Sequence, residues 1–238
     1  MKNNANHNGI KHYILFFLYI CCISCQGQEY NKDILNLKEL DLGLNADRFY
    51  KNSTKRENVK LLSGKQYVEK DTITEYDHDW NGDRNKIFAI QYRVVGYSPA
   101  DVVAQFGNIH FSRVESLVDD KGNLMLINAV TKASKDDILK FITALKKEYP
   151  NPEVTEASSG YTNNQIITWK DKDRIIKLST NARLDFSNPH NILSEADKKE
   201  IQEIEKNRIT ESTLFICNST YEKKLLGNLH SGNWMNFK

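Results

Sequence analysis

The chain has 238 residues, enough for one large domain or two small ones at roughly 100 to 200 residues each, and too few for a long repeat array. Hydrophobic residues make up 39% and charged residues 27%, which excludes a disordered chain, and 4 Pro with 11 Gly exclude a collagen-like or linker protein. The net charge of +2 resides in Lys2 and Lys11; beyond residue 25 acids and bases balance, which removes the electrostatic motive for binding nucleic acid.

Residues 1–24 have the order of a secretory signal peptide: a polar start with Lys2 and Lys11, an apolar run from Tyr13 to Ile23, then the small Ser24 before Cys25. A spanning helix needs about 20 apolar residues, and this run stops after about a dozen at Gln26. The stretch Cys22-Ile23-Ser24-Cys25 resembles a bacterial lipobox, in which a small residue precedes an invariant cysteine that is diacylated and becomes the new N-terminus. It departs from the usual pattern at its first position, where Cys22 replaces Leu. The resemblance implies a lipoprotein: a lipidated Cys25 and tether over 25–33, then one domain over 34–238 held to a membrane of the cell envelope. The alternative is ordinary cleavage before Cys25 or near Gly27, which gives a soluble periplasmic or secreted product. Two or more acyl chains anchor stably where one is marginal. Cys21 and Cys22 leave with the signal, so Cys217 is the lone thiol of the body and cannot form an internal disulfide. Its apolar setting, Leu214 to Cys217, reads as core.

In the mature chain, Leu35, Leu37, Leu40, Leu42 and Leu44 open like a leucine-rich repeat, but no second copy follows at the period such a fold requires. Residues 65–80 and 85–95 read as strands around Asn81-Gly82, a strong hairpin signal because both residues tolerate positive φ. Ser98, Pro99 and Gly107 predict a short helix with a cap, a first-turn proline and a stop. A strand over 109–118, a turn over 119–123 and a strand over 124–130 follow. Ser134 then caps a helix to Tyr149, with Ile138, Phe141, Ile142, Leu145 and Tyr149 on one face and Pro150 ending it. Beyond a Ser/Gly/Asn loop lie a hairpin over 165–169 and 174–180, a charged helix from Ser194, a strand over 213–217 and a short helix over 221–226. Trp234 and Phe237 make the tail a docked one. The sum is an α+β single domain: an antiparallel, hairpin-built sheet with two to four helices packed mainly on one face.

Asp77, Asp79, Asn81, Gly82 and Asp83 match the opening of a calcium loop, in which alternate oxygens point inward and the sixth-position glycine permits the turn. Position twelve is Phe88 instead of the bidentate Glu, and the flanks read as strands, so a solvated hairpin tip competes with weak calcium binding. Calcium is the sole cofactor this sequence suggests. Trp80, Trp169 and Tyr161 could form a recognition patch, with core packing as the competing reading. His78, His110, His190 and His230 are scattered without metal-ligand spacing, and no nucleophile elbow, zinc helix or phosphate loop is present. The functional expectation is an exported, membrane-anchored, non-catalytic binding module. Its partners would be the membrane, through the anchor, and a protein. The alternatives are an exported hydrolase or carbohydrate-acting enzyme, or a toxin-neutralising or inhibitor lipoprotein.

Overall fold

A computed structural model describes residues 34–51, 67–77, 81–95, 101–159, 162–181, 199, 203, 208–230 and 232–237. Eleven strands carry the chain: β1 (Leu35–Asn36), β2 (Tyr67–Thr74), β3 (Ile87–Val95), β4 (Ala104–Phe106), β5 (Ile109–Phe111), β6 (Arg113–Val118), β7 (Leu124–Ser134), β8 (Glu153–Ser159), β9 (Thr162–Lys170), β10 (Arg174–Asn181) and β11 (Ile209–Asn218). Three stretches of α-helix stand out among the described residues: α1 (Ala46–Phe49), α2 (Lys135–Glu148) and α3 (Glu222–Leu225), of which α2 alone is longer than about one turn.

The α+β expectation is therefore corrected: the chain is mostly β. Strands β2-β3-β6-β7-β11-β10-β9-β8 form one eight-stranded sheet, antiparallel throughout, and β1-β4-β5 form a three-stranded sheet in which β1 runs parallel to β4. The covering layers are not a helix array. One face of the large sheet packs against the small sheet, the Leu-rich segment 35–50 and α2; the other packs against α3 and the C-terminal segment. The Leu-rich segment thus serves as cover, with Leu37, Leu40 and Phe49 fully buried.

Two local expectations change for physical reasons. The helix predicted over 98–107 gives way to extended backbone and β4, because Ala104 and Phe106 alternate with Gln105 and bury on one side against β1 and β5. Its Ser98 and Pro99 lie outside the described residues. The predicted single strand over 109–118 is two, β5 and β6, which belong to different sheets and part at Ser112. The expected helix from Ser194 lies almost wholly outside the described residues; Lys199 and Glu203 are helical.

The large sheet is two four-stranded meanders, β2-β3-β6-β7 and β8-β9-β10-β11, joined where β7 pairs with β11 from Ser134↔Ile209 to Leu126↔Cys217. α2 links the central strand β7 to the edge strand β8. Its start is local chemistry: the Ser134 hydroxyl accepts from the Asp137 backbone N–H (3.1 Å) and donates to the Asp137 carboxylate (2.7 Å), so one short polar pair closes the open first turn. Its buried stripe is Ile138, Phe141, Ile142 and Leu145, with Phe141 edge-on to Phe106 at 5.4 Å.

α1 is pinned to the sheet by aromatic groups with polar tips. Tyr50 stacks on Tyr92 at 4.7 Å and shares a hydrogen bond with Ser116 (2.8 Å), while the Tyr92 hydroxyl donates to Asp47 (2.7 Å). That bond, together with Lys70 beside it, holds the Asp47 carboxyl below its ordinary value.

Candidate binding site on the second sheet face

Side chains directly opposite one another in an antiparallel ladder share a face. Following the registers across the large sheet gives one continuous row through all eight strands: Glu69, Arg93, Glu115, Asn128, Phe215, Lys177, Thr168 and Glu153. Its neighbours along each strand, such as Tyr92, Val114, Ile127, Leu214, Ile176 and Trp169, point the other way into the main core. The second face is thus polar across much of its width, and it is buried at its centre, where Glu115 is 1% exposed, Asn128 0% and Lys177 6%, and exposed towards its edges at Arg93 and Glu153.

An ionised carboxylate taken out of water must be paired. Glu115 accepts from Arg93 Nε (3.1 Å) and Gln91 Nε2 (3.5 Å), and Arg93 also reaches Glu69 (3.8 Å), so the charge is shared across three adjacent strands. On the other half of the face, burial, with Lys170 nearby, pulls the Lys177 ammonium below its ordinary value. Lys177 Nζ lies 5.1 Å from the centre of the Phe237 ring, which in turn packs on Phe215 at 5.6 Å. The C-terminal segment therefore covers one end of the face: Leu225, Leu229, Trp234 and Phe237 meet Leu117, Met125, Leu126, Ile175, Phe215 and Cys217. Burial in this cluster pushes the Cys217 thiol up to about 12, which makes it a packing group and not a nucleophile at neutral pH.

Beside that segment the face opens into a cleft of about 220 Å³. Ser179 and Thr213, cross-strand partners on β10 and β11, line it, as do Asn164 on β9 and Asn236 on the C-terminal segment. The two carboxamides approach each other, Asn164 Nδ2 to Asn236 Oδ1, at 3.5 Å. Arg208, Ile209, Thr210 and Glu211, where the chain enters β11, complete the described lining. The groups on offer are hydroxyls, amides and one charge of each sign.

Of the residues singled out in the sequence, Cys25, Asp79, Trp80 and Tyr161 lie outside the described residues. Asp77 accepts from the backbone N–H (2.6 Å) and hydroxyl (2.7 Å) of Thr74, which finishes β2, and Asp83 accepts from the Asn85 N–H (2.8 Å). Both carboxylates thus serve their own turns, and Asn81 is exposed. Among the described residues no cluster of three His, Cys, Asp or Glu side chains is arranged to hold a metal. Trp169 is 1% exposed in the main core, on the face away from the cleft. The polar row was missed, although its signal was present: Glu115, Asn128 and Lys177 each interrupt an apolar strand at the position that faces away from the core.

Comparison with known proteins found no matching family model, no matching curated protein and no matching solved structure.

Proposed function

We propose that the chain is an exported lipoprotein, anchored through Cys25, whose β-domain is a non-catalytic binding module of the cell envelope. The observation that carries this reading is the order of the first 25 residues: Lys2 and Lys11, an apolar run, then Ser24 before Cys25. The eight residues 26–33 reach at most about 28 Å at ~3.5 Å each, which would keep the domain close to the bilayer. The binding role is supported by the wide second sheet face, where paired buried charges, an aromatic contact and a polar cleft lie side by side. No helix among the described residues is long and apolar enough to cross a membrane, so attachment in this reading rests on lipid.

The test is the mass of the N-terminal peptide together with membrane fractionation. The expected result is an acylated Cys25 in the membrane fraction, and release of the Cys25→Ser variant into the soluble fraction. An unmodified N-terminus with the wild-type chain already soluble would overturn the anchor. Crosslinking in native membranes followed by mass spectrometry tests the partner: a protein recovered reproducibly with the wild type and lost with Cys25→Ser is the expected outcome.

A further inference from the structure

We infer that the cleft between β9, β10, β11 and the C-terminal segment is a subsite for one neutral, hydroxylated ring of the size of a single sugar unit. This rests on the binding-module reading and names the ligand class of that module. A volume of about 220 Å³ is many times what one water needs and lies below the roughly 300 Å³ at which pockets for drug-sized ligands begin, the scale of one pyranose ring.

The lining chemistry points the same way. Ser179 and Thr213 present hydroxyls from adjacent strands, and Asn164 and Asn236 present carboxamides from the sheet and from the C-terminal segment. Hydroxyls and carboxamides both donate and accept, so their natural complements are groups that do likewise, which are the hydroxyls of a sugar. Arg208 and Glu211 carry opposite charges, and Glu211 also pairs with Lys132 (3.7 Å), so the lining charges are balanced or already engaged and the ligand itself need carry none. Ile209, 64% exposed, offers an apolar surface for the C–H face of a ring. At 3.5 Å the Asn164 to Asn236 contact stands at the long limit of a hydrogen bond, so a ligand hydroxyl can bridge the two from the cleft side, accepting from Asn164 and donating to Asn236.

Saturation-transfer NMR on the full-length chain decides the matter, with glucose, galactose, mannose and N-acetylglucosamine as probes at millimolar concentration. Inorganic phosphate and acetate serve as charged competitors, and Thr213→Val, Asn236→Leu and Ser179→Ala as variants. The expected result is transfer to at least one sugar, with each folded variant binding about three- to ten-fold more weakly, the range of one lost hydrogen bond, at an unchanged melting temperature. Absence of transfer to every sugar overturns the assignment. So does equal binding by wild type and all folded variants, or displacement of the sugar by phosphate or acetate. Failure of the anchor is read separately: an unmodified Cys25 with a sugar signal removes the lipid and keeps the cleft, whereas an acylated Cys25 without one removes the cleft alone.

Discussion

Glu115 shows how a single side chain can be decisive without touching a ligand. It is enclosed and held by Arg93 and Gln91, so its removal leaves the buried Gln91 without that acceptor, while Arg93, 48% exposed, keeps Glu69 and water. Leaving one buried polar group unsatisfied typically costs about 1–3 kcal/mol. Glu115→Ala is therefore expected to lower stability by that order in urea unfolding, and Glu115→Gln, which keeps the shape and some of the hydrogen bonding, by about 1 kcal/mol or less. A loss below about 0.5 kcal/mol for the alanine variant would mean that the charge is not held as described. Asp47 provides the pH counterpart. The Tyr92 hydroxyl and Lys70 depress its carboxyl below the 3.8 of the free group. A depressed carboxyl adds stability that is fully present above its unfolded value and is lost as pH falls through its folded one. Between about pH 5 and pH 3 the wild type should lose stability more steeply than Asp47→Asn, and parallel curves from the two proteins would contradict the assignment.

At the scale of elements, what was legible in the sequence follows from how much burial each element commits to one side. α2 could be read almost to the residue, because Ser134 caps it and four apolar residues recur at helical spacing. The hairpins around Asp119 to Asn123 and Asp171 to Asp173 were also readable, since a turn signal lies between two apolar runs. β8 was not. Its sequence Glu-Val-Thr-Glu-Ala-Ser-Ser lies at a sheet edge, where Val154 stays 51% exposed and no apolar alternation is needed. β4 was masked by the opposite problem, a helix-cap signature in front of residues that bury by alternation. The cleft shared that fate: its residues come from β9, β10, β11 and the C-terminal segment, far apart in the chain, and none forms a local motif. The prediction at this scale concerns the cap. Ser134→Ala is expected to cost about 1 kcal/mol, whereas Ser134→Thr should retain most of the stability, because its hydroxyl can accept from the same N–H and donate to the same carboxylate. Thermal unfolding of the two variants side by side checks it, and equal losses would show that the hydroxyl does not act as a cap.

For the whole molecule, the second face depends on its C-terminal cover. Phe237 is fully buried against Phe215 and meets Lys177, so the segment that walls the cleft also closes an apolar cluster. Phe237→Ala is expected to destabilise by about 3–5 kcal/mol in chemical unfolding and to make Cys217, otherwise enclosed, open to alkylation under native conditions. Continued protection of Cys217 in a folded variant would mean that the segment is not its cover. The α+β expectation failed at this scale because burial was assigned mainly to helices: beside α2 and α3, the Leu-rich segment, a small second sheet and the C-terminal segment cover the faces of the large sheet.

The seam between β7 and β11 also sets an order of events in time. Its first pair, Ser134 with Ile209, joins positions 75 residues apart, and closing a loop of that length costs several kcal/mol of chain entropy before any pairing is gained. Each meander is local and quick to form, yet until the seam closes each one leaves a bare central edge, β7 or β11, able to pair with a neighbouring chain. Folding speed in such a molecule is governed by that one late encounter. A chain with this topology depends on staying dilute, or on being chaperoned, for as long as its two half-sheets have not yet met.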